Sequence, residues 1–140
     1  MNAKMLVLSF IVVIAISGCS SIRTTSGQNV QISSSESAMA FEEKTSEGEV
    51  TVSLIPKHYQ GVLKVDYIIN THTADLSRIN LQEQVSLNTN GKNIKPVNSP
   101  LLSGHHDSGT LEFNVEKISL PFEIIMKNIP DVKLRKIIWE

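Results

Sequence analysis

Residues 61–70, GVLKVDYIIN, alternate apolar and polar side chains over most of their length. Four apolar side chains fall on one face of an extended chain: Leu63, Val65, Tyr67 and Ile69. Lys64 and Asp66 fall on the opposite face. Because successive side chains of a β-strand point to opposite faces, this alternation predicts a strand with one buried side.

The same period of two recurs along the chain, in residues 49–55, 78–87, 109–115 and 121–127. A helix competes over Asp75–Val85, but the helical spacing from Leu76 meets Asn80 and Glu83, so a strand is predicted there. The last segment, VKLRKIIWE (132–140), changes its apolar phase between Leu134 and Ile137. That change predicts a β-bulge near Arg135.

Turn residues separate these segments. Pro56–Gly61 divides the first two strands, Asn88–Gly91 ends in the Asn-Gly pair of a hairpin, and Pro130-Asp131 marks the last turn. About seven strands over about 90 residues predict an all-β fold, an antiparallel two-sheet sandwich of immunoglobulin-like type. The paired cysteines of antibody domains are missing, since the chain has one cysteine.

The N-terminus has the layout of a secretory signal peptide. Lys4 precedes an apolar run from Leu6 to Ile16, which is far shorter than the ~20 residues of a bilayer-spanning helix. The run ends in small residues. We therefore expect residues 1–18 to be a signal peptide that is removed on export.

The segment ISGCSS, Ile16 to Ser21, closely resembles the lipobox of bacterial lipoproteins. That resemblance implies a diacylglycerol thioether on Cys19, an acylated amino terminus carrying fatty acids such as palmitate, and anchoring to the lipid bilayer. Several acyl chains hold a protein stably on a membrane. In a cell with two membranes, Ser20 resembles the signal for sorting to the periplasmic face of the outer membrane. An ordinary cysteine beside a conventional cleavage site is the alternative.

Composition limits the remaining possibilities. Residues 1–18 contain one charged residue, Lys4, so the mature chain carries 12 basic and 14 acidic residues, which gives no basic footprint for nucleic acid. Residues 19–48 comprise the lipidated cysteine and a segment rich in Ser and Thr, for which a flexible tether is predicted. The β-sandwich domain is expected over residues 49–140.

The four histidines offer the one chemical hypothesis. His105 and His106 lie in a Gly-Ser turn, SGHHDSG, and two predicted strands separate this turn from His72. Alternating strand directions then place all three at one end of the sandwich, and His58 at the other. With Asp75 or Asp107 as a further ligand, they predict a copper or zinc site. The alternative is structural: polar turn residues that bind the backbone.

Three elements of the chain look like a domain pattern of small exported bacterial and archaeal proteins of uncharacterised function. The elements are TH-x-x-DL at 71–76, GHH-x-x-G-x-L-x-F at 104–113 and R-x-x-x-W at 135–139. The resemblance covers most of residues 65–140 and implies a shared fold and loop without assigning an activity. The aromatic-rich stretch usual before Gly-His-His is replaced here by VNSPLLS.

These observations predict a membrane-anchored lipoprotein of the cell envelope, with a non-enzymatic binding or structural accessory domain. The alternative is a histidine-based copper- or zinc-binding protein of the envelope. A phosphate-binding loop, CxxC and GxSxG are all missing from the sequence, so we do not expect an enzyme. Arg135 and Trp139 share one face of the last strand and could anchor it or bind a ligand.

Overall fold

The computed structural model describes residues 38–98 and 101–140, which form nine strands and two short helical segments. The strands are β1 (Met39–Ala40), β2 (Lys44–Ser46), β3 (Val50–Tyr59), β4 (Val62–Thr71), β5 (Val85–Thr89), β6 (Lys92–Ile94), β7 (His106–Asn114), β8 (Phe122–Ile129) and β9 (Val132–Trp139). A 3₁₀ turn spans Leu76–Arg78 and helix α1 spans Leu81–Gln84.

Two antiparallel sheets build the molecule. The first has the order β3-β4-β7, with β1 and β2 both paired to the free side of β3, and the second has the order β6-β5-β8-β9. The chain changes sheets after β4, after β6 and after β7. The seven strands β3–β9 are therefore divided three and four between two layers, and the predicted all-β two-sheet sandwich is confirmed.

The core lies between the inner faces of the two sheets. The alternating residues that predicted β4, namely Leu63, Val65, Tyr67 and Ile69, are all buried. Opposite them, Leu87, Ile124 and Met126 from the second sheet are fully buried. Burial of these side chains, each contributing roughly 1.5–3 kcal/mol, supplies the main driving force for folding.

The sandwich has two ends, the hairpin end and the histidine end. The hairpin end carries the β3–β4 turn at Gln60–Gly61 and the β5–β6 turn at Asn90–Gly91. The histidine end carries the segment after Thr71 and the segment before His106. At the hairpin end, Met39 of β1 pairs with His58 of β3, so the N-terminal strands join the domain there.

The structure places part of the predicted tether in the first sheet. Lys44–Ser46 pair with β3, and the amide of Phe41 donates to the Pro56 carbonyl across 3.0 Å. Within the described residues the folded domain thus begins at Met39, ten residues before the start at residue 49 that the sequence predicted. Residues 1–18 and Cys19 lie outside the described residues. In the described part of the chain no helix is long and apolar enough to cross a bilayer.

Leu76–Arg78 and Leu81–Gln84 form short helical turns where a strand was predicted over residues 78–87, and β5 begins only at Val85. The reason is local capping: the Asp75 carboxylate accepts from the Ser77 amide, and the Asn80 amide oxygen accepts from the Gln82 amide, both at 3.0 Å. Side chains of this type satisfy the free N–H groups at a helix start. Ile79 and Leu81 are still buried, as the alternation predicted.

The predicted bulge near Arg135 is absent from β9. Pairing with β8 runs in one register from Phe122–Trp139 to Lys127–Leu134. Arg135 itself takes an inward position, and Leu134 is turned outward and 49% exposed. The apparent change of phase arose because a buried arginine interrupts the apolar face.

Candidate functional site

The histidine end brings two of the predicted ligands together. Asn70 near the end of β4 pairs with His106 at the start of β7, and His72 follows β4 directly. The ring centres of His72 and His106 lie 5.6 Å apart, with the rings at 76° to each other. Both side chains are exposed. Two strands, β5 and β6, lie between His72 and His106 in the chain, as predicted.

A neighbouring amide orients one of these rings. The Nδ1–H of His106 donates to Oδ1 of Asn70 across 3.1 Å. A hydrogen bond from Nδ1 leaves the lone pair on Nε2 of the neutral ring, which is the arrangement common among metal-binding histidines. His106 is therefore prepared to act as a ligand or as a hydrogen-bond acceptor.

His105 does not join this pair. The amide of Thr71 donates to the His105 carbonyl across 2.9 Å, directly beyond the last β4–β7 pair, Asn70–His106. His105 itself lies in a bend before β7, beside Gly104 with a φ of 60°. The Nδ1–H of His105 donates to the Ala74 carbonyl across 2.9 Å. This histidine fastens the loop after β4, as the structural alternative proposed.

The two aspartates at this end also have structural partners. Asp75 caps the 3₁₀ turn, and the hydrogen bonds from the Ser77 side chain and amide lower the pKa of its carboxyl below the ordinary value. Asp107 accepts from the Tyr67 hydroxyl at 3.1 Å and from the Ser103 amide at 2.8 Å. Burial first, and then the Asp107 charge and hydrogen bond, raise the pKa of Tyr67 well above its ordinary range.

The described residues contain no group of three or more His, Cys, Asp or Glu side chains arranged to hold a metal ion. The three-histidine arrangement predicted from the sequence is therefore not formed. His72 and His106 remain as a pair of candidate ligands, with Asn70 beside them. The other predicted site, Cys19, lies outside the residues that the structure describes.

Arg135 organises a cluster at the start of β3. Its guanidinium is buried and donates to the carbonyls of Ser46 at 3.1 Å and Val50 at 2.6 Å. It also forms an ion pair of 2.9 Å with Asp131, whose second oxygen accepts from the Glu49 amide. Because these partners lie 85 or more residues away in the chain, apart from Asp131, the sequence pattern could not reveal them.

Trp139 contacts the N-terminal segment near Glu42. Its indole N–H donates to the Glu42 carbonyl across 2.9 Å, and its ring stacks on Phe122 with centres 5.0 Å apart. Phe41 meets Phe122 edge-on at 4.9 Å. Arg135 and Trp139 thus share one face, as predicted, and both hold residues 41–50 against the sandwich.

Comparison of the chain with protein-family models, with curated proteins and with solved structures gave no match.

Proposed function

We propose that this chain is a membrane-anchored lipoprotein of the cell envelope, whose β-sandwich serves as a non-enzymatic binding or structural accessory domain. The observation that carries the proposal is the segment ISGC19, which follows a charged start and a short apolar run and holds the chain's one cysteine. Lipidation at Cys19 would anchor the mature protein to the bilayer.

The attachment of the N-terminal strands supports this role. The chain from Cys19 joins the sandwich at Met39, about 20 residues on, a stretch that spans at most ~70 Å when fully extended. Strands β1 and β2 pair along β3, and Arg135 and Trp139 bind the carbonyls next to them. An anchor at Cys19 would therefore hold the whole domain and not a loosely attached segment.

The point of attachment lies at one end of the domain. Met39 joins at the hairpin end, and His72 and His106 lie at the opposite end. An anchor at Cys19 would therefore reach the domain at the hairpin end, and the histidine end would lie farthest from the point of attachment.

Expression of the full chain in a bacterial host tests the anchor. The parent should partition into the membrane fraction and incorporate labelled palmitate, whereas Cys19→Ser should incorporate no palmitate and should be either soluble or unprocessed, with residues 1–18 still attached. Ser20→Ala is the matched control, because it changes the adjacent small residue and keeps the sulfur. Absence of palmitate label in the parent, or equal label in Cys19→Ser, would refute lipid anchoring at Cys19.

A second function, binding of copper or zinc, is favoured by the orientation of His106. Metal–nitrogen bonds of ~2.0–2.1 Å place two ligand nitrogens about 3 Å apart, which the exposed His72 and His106 rings can reach by side-chain rotation. Asn70 supplies the hydrogen bond that leaves Nε2 of His106 available.

Titration of the full chain in detergent with Cu²⁺ or Zn²⁺ tests this second function. We expect one ion per chain, with binding lost in both His72→Ala and His106→Ala. His105→Gln is the control, since glutamine keeps a donor for the Ala74 carbonyl. If only the control lost binding, or if both alanine variants still bound the ion, His72 and His106 would not be its ligands.

A further inference from the structure

A groove of about 550 Å³ lies over the outer face of the second sheet near the hairpin end. Four of its lining residues form one row across neighbouring strands: Asn93 on β6, Asn88 on β5, Glu123 on β8 and Ile138 on β9. With strands ~4.8 Å apart, the row is about 14 Å long. Volumes of 300–1,000 Å³ are usual for small-molecule sites.

The polar side chains of the row are already positioned by one another. The Asn93 amide donates to Oδ1 of Asn88 at 2.7 Å and to Oγ of Ser86 at 3.1 Å. The Asn88 amide in turn donates to Oε1 of Glu123 at 2.8 Å. These bonds fix the side chains before a ligand arrives, which lowers the entropy cost of binding.

Each of the three polar members of the row keeps an unused group. Within residues 38–98 and 101–140, Oδ1 of Asn93, the second N–H of Asn88 and Oε2 of Glu123 have no hydrogen-bond partner. The row therefore presents an acceptor, a donor and an acceptor in order. Ile138, 41% exposed, continues it with an apolar surface, next to Pro121.

The wall of the groove is braced. Asn90, at the β5–β6 turn, donates to the Lys117 carbonyl across 3.2 Å and accepts from the Ser119 hydroxyl. The turn is thereby joined to the segment that leads to Pro121 on the other side. The groove keeps its shape through contacts between distant parts of the chain.

The chemistry of the groove selects a class of ligand. Among the residues that line it none is Lys, Arg or His, and Glu123 and Glu140 are acidic, which disfavours anions. An acetamido group offers an N–H donor, a carbonyl acceptor and a methyl group in one plane. These three match the Glu123 carboxylate or Asn93 oxygen, the Asn88 N–H, and the apolar surface of Ile138.

We propose that this groove binds uncharged oligosaccharides of N-acetylated amino sugars. The proposal deepens the binding role of the domain, on which it rests, and does not depend on the lipid anchor. Sugar hydroxyls, which both donate and accept, would satisfy the remaining groups of the row.

Calorimetric titration of the full chain in detergent with three trisaccharides tests the proposal. The probes are tri-N-acetylchitotriose, its deacetylated amine form and cellotriose, which share a backbone and differ at one substituent. We expect the acetylated form to bind at least fivefold more tightly than either other. Equal binding of cellotriose, tighter binding of the amine form, or no binding of the acetylated form would overturn the proposal.

Variants locate the site. Ile138→Ala and Asn93→Leu should each weaken binding of tri-N-acetylchitotriose at least fivefold. Leu134→Ala is the matched control for Ile138→Ala, because Leu134 is 49% exposed on the same face of the same strand and lies outside the groove. Circular dichroism should be unchanged in all three. Undiminished binding in Ile138→Ala would place the sugar elsewhere and overturn the assignment, whether or not Cys19 is lipidated.

Discussion

The guanidinium of Arg135 donates to the carbonyl of Val50 across 2.6 Å, inside the protein and across 85 residues of sequence. This bond ties the last strand of one sheet to the first long strand of the other. The side chain of Arg135 is 1% exposed, so its charge is stabilised by Asp131 and by backbone carbonyls rather than by water.

Replacement of Arg135 by Met should lower the free energy of unfolding by about 3 kcal/mol, because it leaves Asp131 and several carbonyls without their donor. Urea unfolding measures the change. Lys136→Met also replaces a cation by Met, at the next, exposed position, and should change stability by less than about 0.5 kcal/mol. Equal effects of the two variants would show that the Arg135 cluster contributes little.

Trp139→Phe should release the N-terminal strands without unfolding the sandwich. Phenylalanine can keep the stacking on Phe122 but has no N–H for the Glu42 carbonyl, a loss of about 1 kcal/mol. Hydrogen exchange followed by mass spectrometry should show faster exchange in residues 39–46 and unchanged exchange in β4. Unchanged exchange in 39–46 would mean that pairing with β3 alone holds these strands.

Much of the sandwich could be predicted because its strands have one buried face. The alternation around Val65 and Leu111 gave the correct inward side chains, and Asn90-Gly91 forms the predicted hairpin turn, with positive φ at both residues. The predicted strand count between the loops placed His72 and His106 at one end correctly. These features depend on residues close in sequence.

The remaining features depend on contacts between distant residues. Arg135 reads as a break in an apolar face until its partners at Ser46 and Val50 are known. The polar N-terminal strands have no periodic signal of their own, and Trp139 holds them from the other end of the chain. The row that joins Asn93 to Ile138 requires the register of three strand pairs, which single-strand patterns do not contain.

The expectation that the rings of His105 and His106 face one point was wrong, because local backbone contacts separate them. The pairing of β4 with β7 ends at Asn70 and His106, and His105 lies in the bend just before it. There its carbonyl accepts from the Thr71 amide and its Nδ1–H donates to the Ala74 carbonyl, which holds its ring away from His106. The sequence did contain a sign of this, because the apolar alternation of residues 109–115 follows directly. It belongs to β7, which begins at His106, before the first apolar residue of that alternation.

The Lys57–Asp66 pair lies on the outer face of the first sheet. It predicts that the stability of the fold decreases slightly at acid pH. Burial raises the pKa of Asp66, but the hydrogen bonds from Lys57 and Thr110 outweigh it, and the net pKa lies below the ordinary 3.8. Its contribution to stability is therefore complete above that value and is lost as pH falls through the lower folded pKa.

Both side chains of this pair are about 40% exposed, so solvent screening limits the contribution to less than about 1 kcal/mol. Urea unfolding of Asp66→Asn and of the parent should therefore differ slightly at pH 7, and the difference should shrink as the pH falls below 3.8. Glu112→Gln, which removes the neighbouring exposed pair with Lys64, is the control for general charge effects. A difference that grows as the pH falls would contradict the assignment.

The Tyr67–Asp107 hydrogen bond predicts that the stability of the fold decreases at alkaline pH. The pKa of Tyr67 is raised in the folded protein, first by burial and then by Asp107, above its ordinary value of 10.0. The neutral hydroxyl therefore stabilises the fold fully below pH 10, and this contribution is lost as pH rises from 10 towards the higher folded pKa. The slope for one group is at most about 1.4 kcal/mol per pH unit.

Tyr67→Phe separates this contribution from that of other groups. At pH 7 the variant should lose about 1 kcal/mol, because the hydroxyl no longer donates to Asp107. Between pH 10 and 12 its stability should fall less steeply than that of the parent, whereas the titration of Lys57, whose pKa is also raised, affects both equally. Urea unfolding at several pH values measures both slopes. Parallel slopes would show that Tyr67 ionises in the folded protein as readily as in the unfolded chain.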